Sequence, residues 1–187
     1  MKVSVICVAD RAERLPLLVW SLIAQTHQDW ELLVLDQSGQ APGVLQYVLL
    51  PDHVHARVRL WSVERIGDWG QAAKEMAGQS LAQGDVLMFP ADDAYYVPTA
   101  LTRMVEAIEA GSDLALCGWL YDLFGYAPMP PTPAVGHVDV GGFAVRRATF
   151  LEHGWPSKGQ TGDGELVVSL ASRYKVARLP EVLYAKS

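Results

Sequence analysis

The sequence is short of nearly everything that marks a nucleic-acid binder, a membrane protein or a disulfide scaffold. Only 19% of its 187 residues are charged, and 15 Lys and Arg stand against 21 Asp and Glu, for a formal net charge of −6. That balance argues against a broad electrostatic footprint for nucleic acid. An anionic ligand would instead need a metal ion or local backbone N–H groups. The two cysteines, Cys7 and Cys117, sit in apolar strand-like runs and read as reduced, buried thiols. The longest apolar helical stretch, Leu17 to Ala24, has about eight residues against the roughly 20 of a membrane span. The first ten residues read as a strand and lack the apolar core of a signal peptide, so a cytoplasmic protein is expected. No glycine occurs from Val8 to Ala12, which disfavours a dinucleotide-binding loop or a phosphate-binding P-loop after the first strand. Neither Ser38 nor Ser157 lies in a Gly-x-Ser-x-Gly elbow. None of the five histidines shows metal-ligand spacing. His53 and His55 read as solvent-facing loop residues, and His137 alone is retained as a candidate site residue.

What is present is an apolar, alternating chain. Half of its residues are hydrophobic and 9% aromatic, enough to pack the core of a single domain. Val3–Val8 is a continuous apolar run that suits a strand covered on both faces. Asp10 then reads as an N-cap before Leu15, Leu18, Val19, Leu22 and Ile23, which recur at helical spacing. Strands are expected at Trp30–Leu35, Val58–Val63 and Asp85–Pro90, and helices from Asp68 to Ala82 and from Pro98 to Ala110. This order gives a mostly parallel, Rossmann-like sheet flanked by helices. Ligands of such sheets bind at the carboxyl ends of strands, here Ala9–Arg11, Asp36–Gly39 and Ala91–Tyr96. The second half is less regular. A strand is expected at Leu114–Trp119, a proline-bearing loop at Tyr126–Val135 and a strand at His137–Arg146. A short helix at Ala148–His153, a glycine-rich bend, a helix at Glu165–Ser172 and a strand at Lys175–Leu179 follow.

Three constellations carry chemistry. Asp92 and Asp93 end a buried strand, and adjacent like charges there call for a cation, Mg²⁺ or Mn²⁺ by oxygen-ligand chemistry; the alternative is a solvated Asp-Asp turn. Asp36 ends the second strand, where a carboxylate can accept hydrogen bonds from a base or ribose; the alternative is an Asx turn. Asp163 lies between Gly162 and Gly164 just ahead of a helix, either as a cap or as a catalytic carboxylate on closely approaching backbone. Trp20, Trp30 and Trp61 read as core. Trp69, Trp119 and Trp155 lie near loops, where an aromatic face can stack on a sugar or base; the alternative for each is core packing.

Taken together, these segments resemble a family-2 type glycosyltransferase of the GT-A fold. The likeness rests on Val3–Arg11, on Leu15–Asp36 (with Ser-Leu-Ile-Ala-Gln-Thr at Ser21–Thr26), on Asp68–Phe89 running into Ala91-Asp92-Asp93 at the family's DxD position, on Asp139–Arg147, on Gly162-Asp163 and on Arg178–Tyr184. It implies one domain over 1–187, with a nucleotide-sugar-binding half over about 1–97 and a smaller, mixed acceptor-side half over about 98–187. It further implies a UDP-linked or similar nucleotide-sugar donor, a divalent metal (Mn²⁺ or Mg²⁺), a glycan or other hydroxyl acceptor, and inverting transfer. By position, Asp36 would bind the base, Asp92 would face the ribose, Asp93 would hold the metal and Asp163 would act as general base. Ala9, Asp10 and Arg11 would line the nucleotide site, with His137, Glu165 and Trp69 as lesser candidates. The chain has Gln37, Ala91 and Gly162 where the family carries acidic residues. A nucleotide- or glycan-binding protein of this fold without turnover is the alternative. A sugar nucleotidyltransferase is disfavoured because it would want a glycine-rich basic loop after the first strand.

Overall fold

A computed structural model describes residues 1–48, 52–65 and 70–187. In chain order the strands are β1 (Val3–Ala9), β2 (Trp30–Asp36), β3 (Val58–Ser62), β4 (Val86–Met88), β5 (Ala94–Tyr96), β6 (Leu114–Tyr121), β7 (Phe143–Arg146) and β8 (Val176–Lys186). The helices are α1 (Leu15–Ile23), α2 (Ala41–Tyr47), α3 (Asp52–His55), α4 (Gln71–Ser80), α5 (Ala100–Glu109), α6 (Arg147–His153) and α7 (Gly162–Ala171). The strands form one sheet in the order β3-β2-β1-β4-β7-β6-β8-β5. β3, β2, β1 and β4 run parallel, whereas β7 pairs antiparallel with both β4 and β6. β8 runs parallel to β6, and β5 closes the edge antiparallel to β8.

Period-two burial assigns the layers. Val3, Val5, Cys7 and Ala9 of β1 face one apolar layer with α1 and α5, while Ile6 and Val8 face the other with α4, α6 and α7. Both faces being covered, every residue of β1 is buried, which explains its unbroken apolar run. Both cysteines are free and buried, as expected. In the second layer Phe89 packs 5.1 Å from both Phe150 and Trp155 and 6.0 Å from Phe143, ring centre to ring centre.

The parallel elements lie close to their expected bounds, and the departures have identifiable causes. Asp10 caps no helix: a 3₁₀ turn at Ala12–Arg14 intervenes, and α1 starts at Leu15. Trp20 is 47% exposed rather than core, because it lies on the face of α1 opposite Leu15, Leu18, Val19 and Leu22. The turn cluster after Asp36 contains α2, and His53 and His55 lie in the short α3 rather than in a loop. Asp68, the expected start of α4, lies outside the described residues, as does Trp69. The strand expected over His137–Arg146 begins only at Phe143, because Asp139 folds into a turn, its carbonyl accepting the Gly142 N–H. β8 continues well past Leu179 through Pro180. Opposite that proline the β6–β8 register slips at Gly118, where an added Cβ would sit 3.0 Å from the Glu181 carbonyl oxygen.

At the end of the sheet away from the carboxyl termini of the parallel strands, Glu31 is 3% exposed and gathers four donors. Its carboxylate accepts from the Ser4 hydroxyl at 2.6 Å and the Gln83 N–H at 2.7 Å, and pairs with Arg59 at 2.9 Å and Lys2 at 3.6 Å. Removing one member of a buried ionic network leaves the others unpaired. Glu31→Ala is therefore expected to cost about 3–5 kcal/mol, read as a lower urea midpoint with unchanged slope.

Candidate active site

Strand order reverses at β1: the chain steps from β1 to β2 and β3 on one side and returns to β4 on the other. A crevice opens at the carboxyl ends of strands where the order reverses. Here it is a cavity of about 750 Å³, walled by the ends of β1, β4, β6 and β8 and by the first turns of α4 and α7. Five aspartates (10, 92, 93, 139 and 163) and three cations (Arg11, Lys74 and Lys186) line it.

Asp92 and Asp93, adjacent and both almost fully buried, share the Arg11 guanidinium but differ in their other partners. Oδ2 of Asp92 accepts the backbone N–H of Asp10 at 3.1 Å and of Arg11 at 2.7 Å, and Oδ1 accepts the Arg11 guanidinium at 2.6 Å. With the Val8–Ala91 bridge, this clamps the end of β4 to the end of β1. Asp93 gives Oδ2 to Arg11 at 2.8 Å and to Arg14 at 3.4 Å. Its Oδ1 is buried and has no hydrogen-bond partner among the described residues. Burial opposes the charge on Arg11, but Asp92 and Asp93 outweigh it and hold the guanidinium more basic than usual.

Across the cavity, Asp163 sits in the first turn of α7 rather than ahead of it, accepting the Gly164 N–H at 2.8 Å. The Trp155 indole fixes this turn by donating to the Gly162 carbonyl at 3.0 Å. Burial, and then the charge of Asp139, raise the Asp163 carboxyl above the ordinary aspartate value. Asp139 is tied down: it accepts the Tyr184 hydroxyl at 2.7 Å, the Gly141 N–H at 3.2 Å and the Lys186 ammonium at 2.9 Å. Beneath them Lys74, 3% exposed, donates to the Phe89 carbonyl at 3.0 Å, and burial makes it less basic than usual. Oε1 of Gln71, one turn before it, is buried without a partner.

Of the residues singled out from sequence, the structure brings Asp10, Arg11, Asp92, Asp93 and Asp163 to one cavity. Ala9 lies fully buried just behind it. Asp36 is outside the lining; its Oδ1 accepts the Ser38 N–H and hydroxyl and the Gly39 N–H, and its Oδ2 accepts the Ala41 N–H at 3.2 Å. Glu165 accepts the Thr161 hydroxyl at 2.6 Å at the rim of α7, and His137 is exposed with its carbonyl accepting the Trp119 indole N–H. Gln71, Lys74, Asp139 and Lys186 were not anticipated. Lys74 had a signal, a lysine on the buried stripe that also holds Gln71, Ala77 and Gly78. Lys186 had none, because Pro180 masked the strand that carries it.

One family model, described as Glycosyl transferase family 2, matches residues 4–150. No curated protein sequence matches the chain. Among solved structures, TarS 1-349 of S. aureus superposes with a TM-score of 0.78 at 16% identity, over 100% of this chain and 60% of that one. The same protein in complex with UDP gives 0.76 at 17% identity, over 99% and 60%. The mannosyltransferase PcManGT from Pyrobaculum calidifontis, in complex with GDP-Man and Mn²⁺, gives 0.77 at 17% identity, over 99% and 56%. These likenesses show the GT-A fold expected from the sequence, and this chain spans about 60% of the length of those relatives.

The environment of Asp163 can be measured directly. Its carboxyl carbon, followed by NMR, is expected to titrate above the value of an ordinary, exposed aspartate. Asp139→Asn removes one raising charge and frees Lys186, so the midpoint should fall while burial keeps it elevated. A midpoint unmoved by Asp139→Asn would contradict this account of the shift.

Proposed function

Because the chain belongs to glycosyl transferase family 2, we propose that it transfers a sugar from a nucleoside diphosphate donor to a hydroxyl acceptor with inversion at the anomeric carbon. The observation that carries this reading is Asp163: a half-buried carboxylate lining the same cavity as Asp93 and Arg11, with its proton affinity raised by burial. A base of that kind is better matched to proton abstraction near neutrality than an ordinary carboxylate. The acceptor hydroxyl gives its proton to Asp163 as its oxygen attacks the anomeric carbon. The bond from that carbon to the β-phosphate oxygen breaks, and its electron pair leaves on the nucleoside diphosphate. Asp139, the other carboxylate on that wall, is occupied by Tyr184, Gly141 and Lys186.

The donor's diphosphate would lie between Arg11 and Lys186, where the cavity carries accessible cations. Asp36 would serve the base through Oδ2, which retains acceptor capacity beyond the Ala41 N–H. Asp92 holds the loop of Asp10 and Arg11 against which the ribose would rest.

A divalent metal fits the residues present. Oδ1 of Asp93 is a hard oxygen ligand with no hydrogen-bond partner among the described residues. Among the described residues no group of three His, Cys, Asp or Glu could cage an ion. That donor set suits Mg²⁺ or Mn²⁺ held by one carboxylate and completed by substrate phosphates. Bound to Asp93, such an ion would neutralise charge developing on the leaving diphosphate. UDP with TarS, and GDP-Man with Mn²⁺ in PcManGT, support the ligand class.

Asp163→Asn keeps shape and removes the base. Transfer, followed as nucleoside diphosphate release from UDP- and GDP-sugars with Mn²⁺ and a panel of acceptors, should fall by about 10²–10⁴-fold. Nucleotide affinity by calorimetry should stay within a few-fold. Undiminished transfer by the variant would remove Asp163 from the mechanism. Wild-type protein that binds neither UDP nor GDP would end the donor assignment.

A further inference from the structure

The acidic pair at the end of β4 already has a counter-ion. The guanidinium of Arg11 bridges Asp92 at 2.6 Å and Asp93 at 2.8 Å, the short lengths of charge-assisted hydrogen bonds. A divalent cation approaching Asp93 must therefore compete with a positive group in contact with the same carboxylate.

The arrangement is built for exchange. Arg11 is 43% exposed at its side chain and faces the cavity, while Asp93 is 1% exposed behind it. If the guanidinium swings out, the joint between β1 and β4 survives, because Asp92 still accepts two backbone N–H groups. Asp93 still keeps Arg14, which is anchored separately by donating to the Ser187 carbonyl at 3.0 Å. Oδ1 of Asp93, the oxygen with no partner, then gains an ion without losing a bond. For Arg11, leaving two carboxylates is costly unless another anion receives it, and a diphosphate has matching geometry for its fork of donors.

We propose that Arg11 is a resident counter-ion that makes metal and nucleotide binding interdependent: it excludes the divalent ion from Asp93 in the free protein and moves to the diphosphate when the two enter together. This rests on the reading of the cavity as a nucleoside diphosphate site. It assigns Arg11 a positioning and gating role distinct from simply lining the nucleotide. Coupling between two ligands is reciprocal, so each should tighten the other by the same factor, and Arg11 should carry much of that factor.

The experiment measures Mn²⁺ binding by electron paramagnetic resonance and calorimetry, with Mn²⁺ alone, with UDP and with GDP, on wild type, Arg11→Met and Arg11→Lys. Arg11→Met keeps the apolar stem and removes the charge. Arg11→Lys keeps a charge that cannot fork across both carboxylates, and circular dichroism confirms folding of each. Wild type should bind Mn²⁺ alone weakly and bind it at least about tenfold more tightly with nucleotide present. Arg11→Met should bind Mn²⁺ alone roughly 10–100-fold more tightly than wild type, the factor expected for removing one or two charged hydrogen bonds. Its nucleotide-induced tightening should shrink, and Arg11→Lys should lie between. Mn²⁺-alone affinity that stays within twofold of wild type in both variants overturns the inference. If wild type binds neither nucleotide, the donor reading fails, and the Mn²⁺-alone comparison still decides whether Arg11 guards Asp93.

Discussion

The joint between the ends of β1 and β4 is the constraint on which the site depends, and one carboxylate makes it. Asp92 accepts two consecutive backbone N–H groups from the chain leaving β1 and a guanidinium from the same segment. Because β1 and β4 are neighbours at the point where strand order reverses, their ends would otherwise diverge into two independent loops. Tied together, they present Asp93, Arg11 and the loop backbone as one rigid floor. Nucleotide-binding folds commonly reach that rigidity with glycine-rich turns whose own N–H groups meet the phosphate. This chain has no glycine there and uses those N–H groups internally, so the charge facing the cavity has to come from side chains.

The opposite wall is positioned by different means. Phe89, which follows β4, packs against Phe150 and Trp155, and Trp155 in turn donates to the carbonyl of Gly162. The floor and the turn bearing Asp163 are thereby joined through one aromatic cluster in the second apolar layer. The third wall comes from β8, which reaches the cavity because the slip at Gly118 accommodates Pro180 and lets the strand run on to Lys186. Gly141 completes it by close packing: a Cβ there would lie 2.4 Å from the Tyr184 ring that holds Asp139.

These two kinds of construction explain what could be read from the residues. The parallel half is dictated by local pattern: β1, β2, α1 and α5 follow from apolar periodicity, and position at the strand ends alone nominates Arg11, Asp92 and Asp93. Their division of labour was not legible, since two adjacent aspartates look alike until one is seen to accept backbone N–H groups and the other to keep a bare oxygen. The second half of the chain depends on contacts distant in sequence. Asp139 meets Lys186 across 47 residues and Tyr184 across 45. A strand interrupted by proline carries no periodic signal of its own, and the resemblance to a known family, rather than pattern, pointed to Arg178–Tyr184.

The charge of the whole chain is a poor guide to the charge of the site. A net −6 suggests a cavity of bare carboxylates that only a metal ion can make hospitable to an anion. The cavity is instead compensated in place: Asp92 and Asp93 by Arg11 and Arg14, Asp139 by Lys186, with Lys74 buried beneath. Among the described residues, Oδ1 of Asp93 and Oε1 of Gln71 are lining atoms buried without a partner, and Asp163 has a carboxyl raised by burial. Buried polar atoms without partners cost folding free energy, so Oδ1 of Asp93 is the carboxylate oxygen of the cavity with the most to gain from a ligand, whereas Asp163 already accepts the Gly164 N–H. The case for a divalent ion therefore rests on that one oxygen, and the case for a base on Asp163 alone.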